Sequence, residues 1–184
     1  ISGENLFTIL SRVAQKDPVT VAEFDLRRRV EIVMTAGLAL LYAHARGVIH
    51  RDVKPENIWV GNFGEVILLD WGVAKVWGQP DDGPGRPQVI QQEEADQSLT
   101  MAGDRPGTPL YMSPEQVNTN RATIDERSDI FSMGVVLYEA IALREPFRGR
   151  VIQETFENII HNDPCPPSTL APEKNILDKE FFYF

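Results

Sequence analysis

The feature that most constrains the fold is the stretch SDIFSMGVVLYEAIAL at residues 128–143, which is apolar on nearly every side. This composition predicts a helix, with Ser128 or Asp129 able to cap its start. A surface helix keeps one polar face, so a helix without one belongs in the middle of a hydrophobic core. At 184 residues the chain is long enough to build that core as a single domain.

Three further segments carry patterns of regular structure. Residues 25–47 predict a long helix buried on one face, because apolar side chains recur there at helical spacing up to Gly47. The segments NIWV and EVILLD flank a glycine-containing turn and predict a short β-hairpin, and VIQETFENIIHN predicts an amphipathic helix. The expected fold is mainly α, a helical bundle around a buried central helix with one short hairpin. The apolar residues expected on the buried face of the long helix are Leu26, Val30, Val33, Met34, Leu38 and Leu41.

Charge and composition exclude several classes of function. The net charge of −9 argues against the basic surface that nucleic acid requires. No apolar run approaches the roughly 20 residues that span a bilayer, and the first residues do not have the pattern of a secretory signal. We therefore expect a cytoplasmic protein with no membrane segment in this chain and no nucleic-acid partner.

Residues 77–106 differ from the rest of the chain in composition. Pro, Gly, Gln, Asp and Glu dominate them, and they contain almost nothing that a core could bury. We interpret this stretch as a mobile acidic loop inside the domain.

Four short motifs follow one another on the predicted elements. HRD at 50–52, with Asn57 five residues after the aspartate, lies between the long helix and the hairpin, and DWG at 70–72 follows the second strand. GTPLYMSPE at 107–115 and SDIFSMG at 128–134 come next. Singly, Asp and Asn in loops are more often turn formers than catalytic groups. Together, the motifs resemble the large C-terminal lobe of a protein kinase, specifically a bacterial serine/threonine kinase of the eukaryotic-like type. The resemblance runs from about Leu6 to about Pro167.

The resemblance implies a catalytic role for four residues. Asp52 would accept the proton of the substrate hydroxyl, a contribution of about 10²- to 10⁴-fold. Lys54 would contact ATP and neutralise the phosphate that is transferred. Asn57 and Asp70 offer oxygen atoms, the ligands that Mg²⁺ prefers, and would hold the metal on the ATP phosphates.

The resemblance also assigns residues to activation and substrate binding. The activation segment would run over 70–115, with Arg51 pairing with a phosphorylated residue of that segment. Ser98 and Thr100 are the candidates for phosphorylation; the alternative is that they are ordinary loop hydroxyls. Thr108 would contact the catalytic aspartate and lysine and help to dock the substrate.

Four residues are expected to have structural roles. His50 would pack in a hydrophobic stack with Trp71. Asp129 would accept backbone N–H bonds from the catalytic loop. Glu115 is expected to be half-buried and unpaired, because no arginine follows Arg150 to meet it.

Trp59 departs from the family pattern. It lies where the family usually keeps a smaller aliphatic residue beneath the adenine. The indole could stack on the base, crowd it out, or be a large core residue in a slightly shifted pocket.

The two ends of the chain also depart from the pattern. Residues 1–24 contain no glycine-rich loop, strand lysine or helix glutamate, so the small lobe is absent from this chain, and residues 168–184 form a divergent or truncated tail. We therefore expect residues 1–184 to be a partial kinase domain that alone binds ATP weakly and transfers no phosphate.

The sequence thus predicts an ATP- and Mg²⁺-dependent serine/threonine protein kinase that acts on a protein substrate. Two alternatives remain open at this point. One is a non-catalytic, kinase-like module that binds proteins, and the other is a decayed gene fragment.

Overall fold

The computed structural model describes residues 2–76, 109–118 and 124–170. Three parts of the predictions lie outside these ranges: the whole acidic loop 77–106, the candidates Ser98, Thr100 and Thr108, and residues 171–184 of the predicted tail. The helices are α1 (Leu6–Ala14), α2 (Pro18–Glu23), α3 (Leu26–His44), α4 (Pro114–Val117), α5 (Glu126–Ala142), α6 (Ile152–His161) and α7 (Pro167–Leu170). The strands are β1 (Gly3–Asn5), β2 (Val48–Ile49), β3 (Ile58–Gly61), β4 (Val66–Leu68) and β5 (Lys75–Val76), with 3₁₀ turns at Pro55–Asn57 and Trp71–Val73. The predicted mainly α character is confirmed.

The predicted hairpin is also present and forms part of a small antiparallel sheet. Strands β3 and β4 are paired, with Ile58 opposite Leu68. Strand β1 pairs with the other side of β3, with Asn5 opposite Trp59. A second pair, β2 with β5, joins the chain before the HRD motif to the chain after the DWG motif. The two sheets therefore position the loops that carry the HRD and DWG motifs.

Helix α5 carries the core, as its composition predicts, but it begins earlier than expected. Its N-cap is Asp125, whose side chain accepts a hydrogen bond from the backbone N–H of Arg127. The prediction that Ser128 or Asp129 caps this helix is therefore wrong, because the cap lies three or four residues upstream. Both residues instead lie inside the first turns and are buried, where their side chains serve other elements.

Helix α3 forms where predicted, but it buries the predicted face only in part: Val33 is buried as expected, and Leu26 and Val30 are half-buried. Asp25 caps it by accepting from the backbone N–H of Arg28 at 2.8 Å. Met34, Leu38 and Leu41, expected in the core, are 65%, 65% and 64% exposed. The helix is apolar on two adjacent faces, so spacing alone could not choose between them. The residues that it buries are Arg29, Ile32, Val33, Ala36, Leu40 and Ala43.

Helices α3 and α5 lie antiparallel, and polar contacts join both ends of the pair. Near the start of α3, Arg29 donates to the carbonyl of Ala140 in the last turn of α5. Near its end, His44 lies 2.7 Å from Asp129 in the first turns of α5. Small side chains such as Ala36 on the facing surface let the two backbones approach closely.

The hydrophobic core spreads from this helix pair to α1 and the three-stranded sheet. It includes Leu6, Ile9, Leu10, Val13, Phe24, Ile32, Leu40, Val53, Ile58, Val60, Leu68, Leu110, Val135, Val136, Phe147 and Ile159. Within the described ranges, no helix combines the length and the apolar character needed to cross a membrane.

Candidate active site

The motif residues lie at the end of the three-stranded sheet where β3 begins and β4 ends, which is called the sheet edge below. The HRD motif follows β2, the 3₁₀ turn Pro55–Asn57 leads into β3, and Asp70 follows β4. Because β3 and β4 are paired, the start of one strand and the end of the other share an edge. Here the backbone N–H of Leu69 donates to the carbonyl of Asn57 at 2.7 Å. Asn57 and Asp70 therefore belong to the same edge although 13 positions separate their numbers.

Asp52, Lys54 and Asn57 are brought into direct contact. Lys54 Nζ lies 2.7 Å from Asp52 Oδ2. Asn57 Nδ2 donates to the same carboxylate oxygen at 3.1 Å and to the Asp52 carbonyl at 2.8 Å. The Asp52 and Lys54 side chains are about one-third exposed (36% and 31%), so the ion pair orients the carboxylate but contributes little to stability.

The donor set at this edge fits a magnesium ion that is shared with phosphates. The Asn57 amide nitrogen is used by Asp52, and the amide oxygen accepts no hydrogen bond from the described residues. The Asp70 carboxylate is exposed, on a residue in the left-handed conformation with φ of 61°. Mg²⁺ usually takes one or two protein oxygens and completes its shell with phosphate and water. The described residues contain no group of three or more His, Cys, Asp or Glu that could form an all-protein metal cage.

His50 connects the HRD motif to the strand that leads to Asp70. The side chain is fully buried, and its Nδ1 lies 3.3 Å from the backbone N–H of Asp52, from which it accepts a hydrogen bond. Nε2 therefore carries the proton and donates to the Leu69 carbonyl at 2.9 Å. The ring packs edge-to-face on Trp71, with ring centroids 4.5 Å apart. Trp71 in turn donates through Nε1 to the Leu68 carbonyl at 3.0 Å.

Asp129 is the hydrogen-bond acceptor around which the loop is arranged. Its carboxylate is 1% exposed and accepts the backbone N–H of His50 at 2.8 Å and that of Arg51 at 2.7 Å. A third donor is His44 Nε2 at 2.7 Å. Arg51 adopts a φ of 72°, a left-handed conformation that costs a non-glycine residue about 1–2 kcal/mol. The bond from Arg51 to Asp129 helps to hold the backbone in that conformation.

His44 is not among the residues that the sequence predicts for this site. The residue belongs to no motif, and it lies 85 positions from Asp129 in the sequence. No local pattern could have indicated the contact, because it depends on the antiparallel packing of α3 against α5.

Glu115 is not unpaired, contrary to the expectation. The Ser128 hydroxyl donates to Glu115 Oε1 at 2.6 Å. The expectation was wrong because Ser128 is not the cap of α5 and its side chain is available to α4. Glu115 is half-buried, so this bond links α4 to the first turn of α5.

Trp59 lies in the centre of the sheet, opposite Asn5 in β1 and Ile67 in β4. Its side chain is half-buried, and Nε1 is fully buried without a hydrogen-bond partner among the described residues. The β1 backbone runs close to the indole: a Cβ atom at Gly3 would lie 2.8 Å from Nε1. The same Cβ atom would also overlap the Val60 carbonyl oxygen, and Gly3 has a φ of 151°. The close approach of the β1 and β3 backbones therefore requires glycine at position 3.

Known proteins are similar to this chain over most of its length. A family model described as the protein kinase domain matches residues 1–179. Serine/threonine-protein kinase PknD of Protochlamydia amoebophila is 36% identical over 147 residues, which are 80% of this chain and 15% of that protein. PknD of Chlamydia pneumoniae is 34% identical over 180 residues, 96% of this chain and 19% of that protein. Serine/threonine-protein kinase pkn3 of Myxococcus xanthus is 36% identical over 182 residues, 96% of this chain and 29% of that protein. The chain thus spans less than a third of the length of each of these relatives.

Proposed function

Because this chain belongs to the protein kinase family, we propose that it is part of a serine/threonine protein kinase, which transfers the γ-phosphate of ATP to Ser or Thr hydroxyls of a protein substrate. The observation that carries the proposal is the contact of Asp52 with Lys54 and Asn57 at the sheet edge that also bears Asp70. In this proposal residues 1–184 are a partial kinase domain that corresponds to the C-terminal lobe, and residues 70–115 are its activation segment.

The reaction assigns one chemical task to Asp52. As the oxygen of the substrate hydroxyl bonds to the γ-phosphorus, the bond from that phosphorus to the ADP oxygen breaks, and the hydroxyl proton passes to the Asp52 carboxylate. The hydrogen bond from Asn57 keeps the carboxylate directed at the sheet edge. Lys54, already 2.7 Å from that carboxylate, brings a positive charge to the place where the phosphoryl group would pass.

Two residues would hold magnesium. The Asn57 amide oxygen, which accepts no hydrogen bond from the described residues, and the exposed Asp70 carboxylate are hard oxygen ligands of the kind this metal prefers. Bound Mg²⁺ would neutralise negative charge on the ATP phosphates. Trp59 is proposed to contact the adenine, a role that its half-buried position at the centre of the sheet allows.

Roles in activation and substrate binding are proposed for Arg51, Ser98, Thr100 and Thr108. Phosphorylation of Ser98 or Thr100 would add about −1.5 to −2 charge that Arg51 could bind through its planar guanidinium. Mass spectrometry of active protein tests this role directly. Absence of phosphate from both residues would eliminate it.

Nucleotide binding by the purified chain tests the proposed function without requiring turnover. We expect MgADP to shift the NMR signals of the Asn57 side-chain amide and the Trp59 indole N–H, weakly but measurably. Asp70→Asn should remove the magnesium dependence, because it removes a charged oxygen ligand. Asp163→Asn, at an exposed carboxylate after α6, is the matched control and should change nothing. Shifts that are identical in wild type and Asp70→Asn would contradict the assignment.

Phosphate transfer gives a second test. We expect the isolated chain to transfer no phosphate to a protein such as casein. Transfer to Ser or Thr that is lost in Asp52→Asn would overturn that expectation and would support the proposed chemistry. Transfer that survives Asp52→Asn would contradict the role of Asp52.

A further inference from the structure

Gln116 in α4 is buried and joins two parts of the molecule that are distant in sequence. The side chain is 5% exposed, and Nε2 donates to the carbonyl of Arg51 at 2.8 Å, across 65 positions of sequence. At the other end of the same amide, Oε1 accepts the backbone N–H of Ser113 at 2.9 Å. The Gln116 amide therefore bonds to both segments, through its nitrogen to Arg51 and through its oxygen to Ser113.

The contact with Arg51 falls on the peptide unit that leads into Asp52. The carbonyl of this unit accepts from Gln116, and its N–H, which belongs to Asp52, donates to His50 Nδ1 at 3.3 Å. Two buried side chains thus hold the two polar atoms of one peptide plane. Asp52 is the residue immediately after that carbonyl, so the plane determines the direction in which its side chain leaves the backbone.

This peptide unit needs external support because Arg51 is held in a left-handed conformation, with φ of 72°. A non-glycine residue in that region is less stable than in an extended or helical conformation. The bond from Arg51 N–H to Asp129 restrains the preceding peptide plane. Gln116 restrains the carbonyl of the following plane, so its removal would leave that plane with the longer, 3.3 Å bond from the Asp52 N–H to His50.

Helix α4 is itself held by hydrogen bonds to α5, so a shift of α4 would also move its contact with the loop that bears Asp52. The Ser128 hydroxyl donates to Glu115 at 2.6 Å, and the Ser132 hydroxyl donates to the carbonyl of Tyr111 at 2.6 Å. These bonds connect residues 111–115 to α5, and Gln116 connects them onward to the loop. Residues 111–116 therefore link α5 to the loop that bears Asp52.

We propose that Gln116 is a positioning residue that sets the orientation of the Arg51–Asp52 peptide unit, and so makes the geometry of Asp52 depend on the seating of residues 109–118. This inference rests on the proposed function for the meaning of Asp52, although the contact itself does not. Gln suits the position because it donates at one end and accepts at the other. Glu would keep the acceptor for Ser113 and lose the donor for Arg51, and Leu would lose both.

The test compares Gln116→Glu and Gln116→Leu with Asn118→Leu in the full chain. Asn118 carries the same amide group at the end of the same helix but is exposed, so it is the matched control. Amide hydrogen exchange and backbone NMR shifts are measured for residues 50–54. We expect the Asp52 amide to exchange about 10-fold faster in both Gln116 variants, as the loss of one buried hydrogen bond implies. The control should leave the rate unchanged.

A Mg²⁺ titration followed at the Asn57 side-chain amide separates positioning from general stability. We expect its midpoint to rise several-fold in Gln116→Glu and Gln116→Leu, because Asn57 is hydrogen-bonded to Asp52. The loss of a buried hydrogen bond also lowers the thermal midpoint, so positioning is recognised by exchange changes that stay within residues 50–54. Unchanged exchange at Asp52 in both Gln116 variants would overturn the inference. So would exchange changes spread evenly over α3 and α5, since these describe only a packing role. If wild type shows no Mg²⁺ response, the proposed function fails, and the exchange rates still decide the role of Gln116.

Discussion

The two ends of the α3–α5 pair are built differently, although the same two helices form both. At the end near the HRD motif, the buried carboxylate of Asp129 takes donors from His44, His50 and Arg51. At the opposite end, the pair borders a cavity of about 590 Å³. Its walls are mainly apolar and include Val13, Ala14, Val21, Phe24, Leu26, Arg29, Ile141, Leu143 and Pro167. Hydrogen bonds fix the backbone conformation at the end near the HRD motif, whereas the opposite end borders a mainly apolar cavity.

The difference shows where each end derives its stability. Arg29, on the cavity wall, is 4% exposed and donates to the carbonyls of Asp25 and Ala140. Ala140 is in the last turn of α5, where carbonyls have no partner within the helix and a positive charge is favourable. Burial lowers the pKa of Arg29, and the nearby Asp25 carboxylate opposes that shift. At the cavity end the Arg29 guanidinium thus caps α5. At the end near the HRD motif, the backbone is held by the hydrogen bonds to Asp129.

We expect the largest loss from Asp129→Ala, which removes the acceptor of three hydrogen bonds at the loop end. Two backbone N–H groups and His44 would be left buried without a partner, so the free energy of unfolding should fall by about 3–5 kcal/mol. Urea unfolding measures it. Asp125→Ala, at the part-buried cap of the same helix, should cost about 1 kcal/mol. Equal losses for the two variants would contradict the central role of Asp129.

The two apolar faces of α3 provide the next comparison. Leu40 is 3% exposed and Leu38 is 65% exposed. Leu40→Ala should lower the free energy of unfolding by about 2–5 kcal/mol, because it opens a cavity in the core. Leu38→Ala should change it by less than about 0.5 kcal/mol. A large effect at Leu38 would show that this face is covered in solution.

Arg29→Met tests the capping of α5 at the cavity end. Met has a similar length and removes the donor to Ala140, so we expect a loss of about 1–2 kcal/mol in thermal or urea unfolding. Arg27→Met on the same helix is the control, since the Arg27 side chain is 82% exposed and should contribute less than about 0.5 kcal/mol. An Arg29 variant as stable as the control would show that α5 needs no cap from α3.

The smallest effect within an accessible pH range is expected from Tyr111, beside the loop end. Burial, with the nearby Glu139 carboxylate, raises the pKa of Tyr111 well above its ordinary value of 10.0. The folded state therefore favours the neutral phenol. This stability is fully present below pH 10 and is lost as the pH rises toward the raised folded pKa, because the unfolded chain ionises first.

Tyr111→Phe removes this titration. Urea midpoints measured from pH 9 to pH 11 should fall more steeply for wild type than for the variant. Parallel curves would show that Tyr111 does not contribute to the alkaline loss.

Much of the site was predictable from motif order. The hairpin, the position of Asp70 after its second strand, and the Asp129 bonds to the loop all follow from local pattern or from the family resemblance. Three expectations failed where the outcome depended on packing: the buried face of α3, the cap of α5, and the pairing of Glu115. In each case the outcome depended on how separate elements pack, as for Glu115, whose partner Ser128 lies in another helix.

The sequence by itself determined which residues are proposed to carry the chemistry, because Asp52, Lys54 and Asn57 fall in one short motif. It also determined that one helix must be buried, since that helix lacks a polar face. Only the tertiary structure decided that His44 and Gln116 support the same loop. Those contacts join segments far apart in sequence, and they depend on helices whose relative placement is set by the whole core rather than by any local pattern.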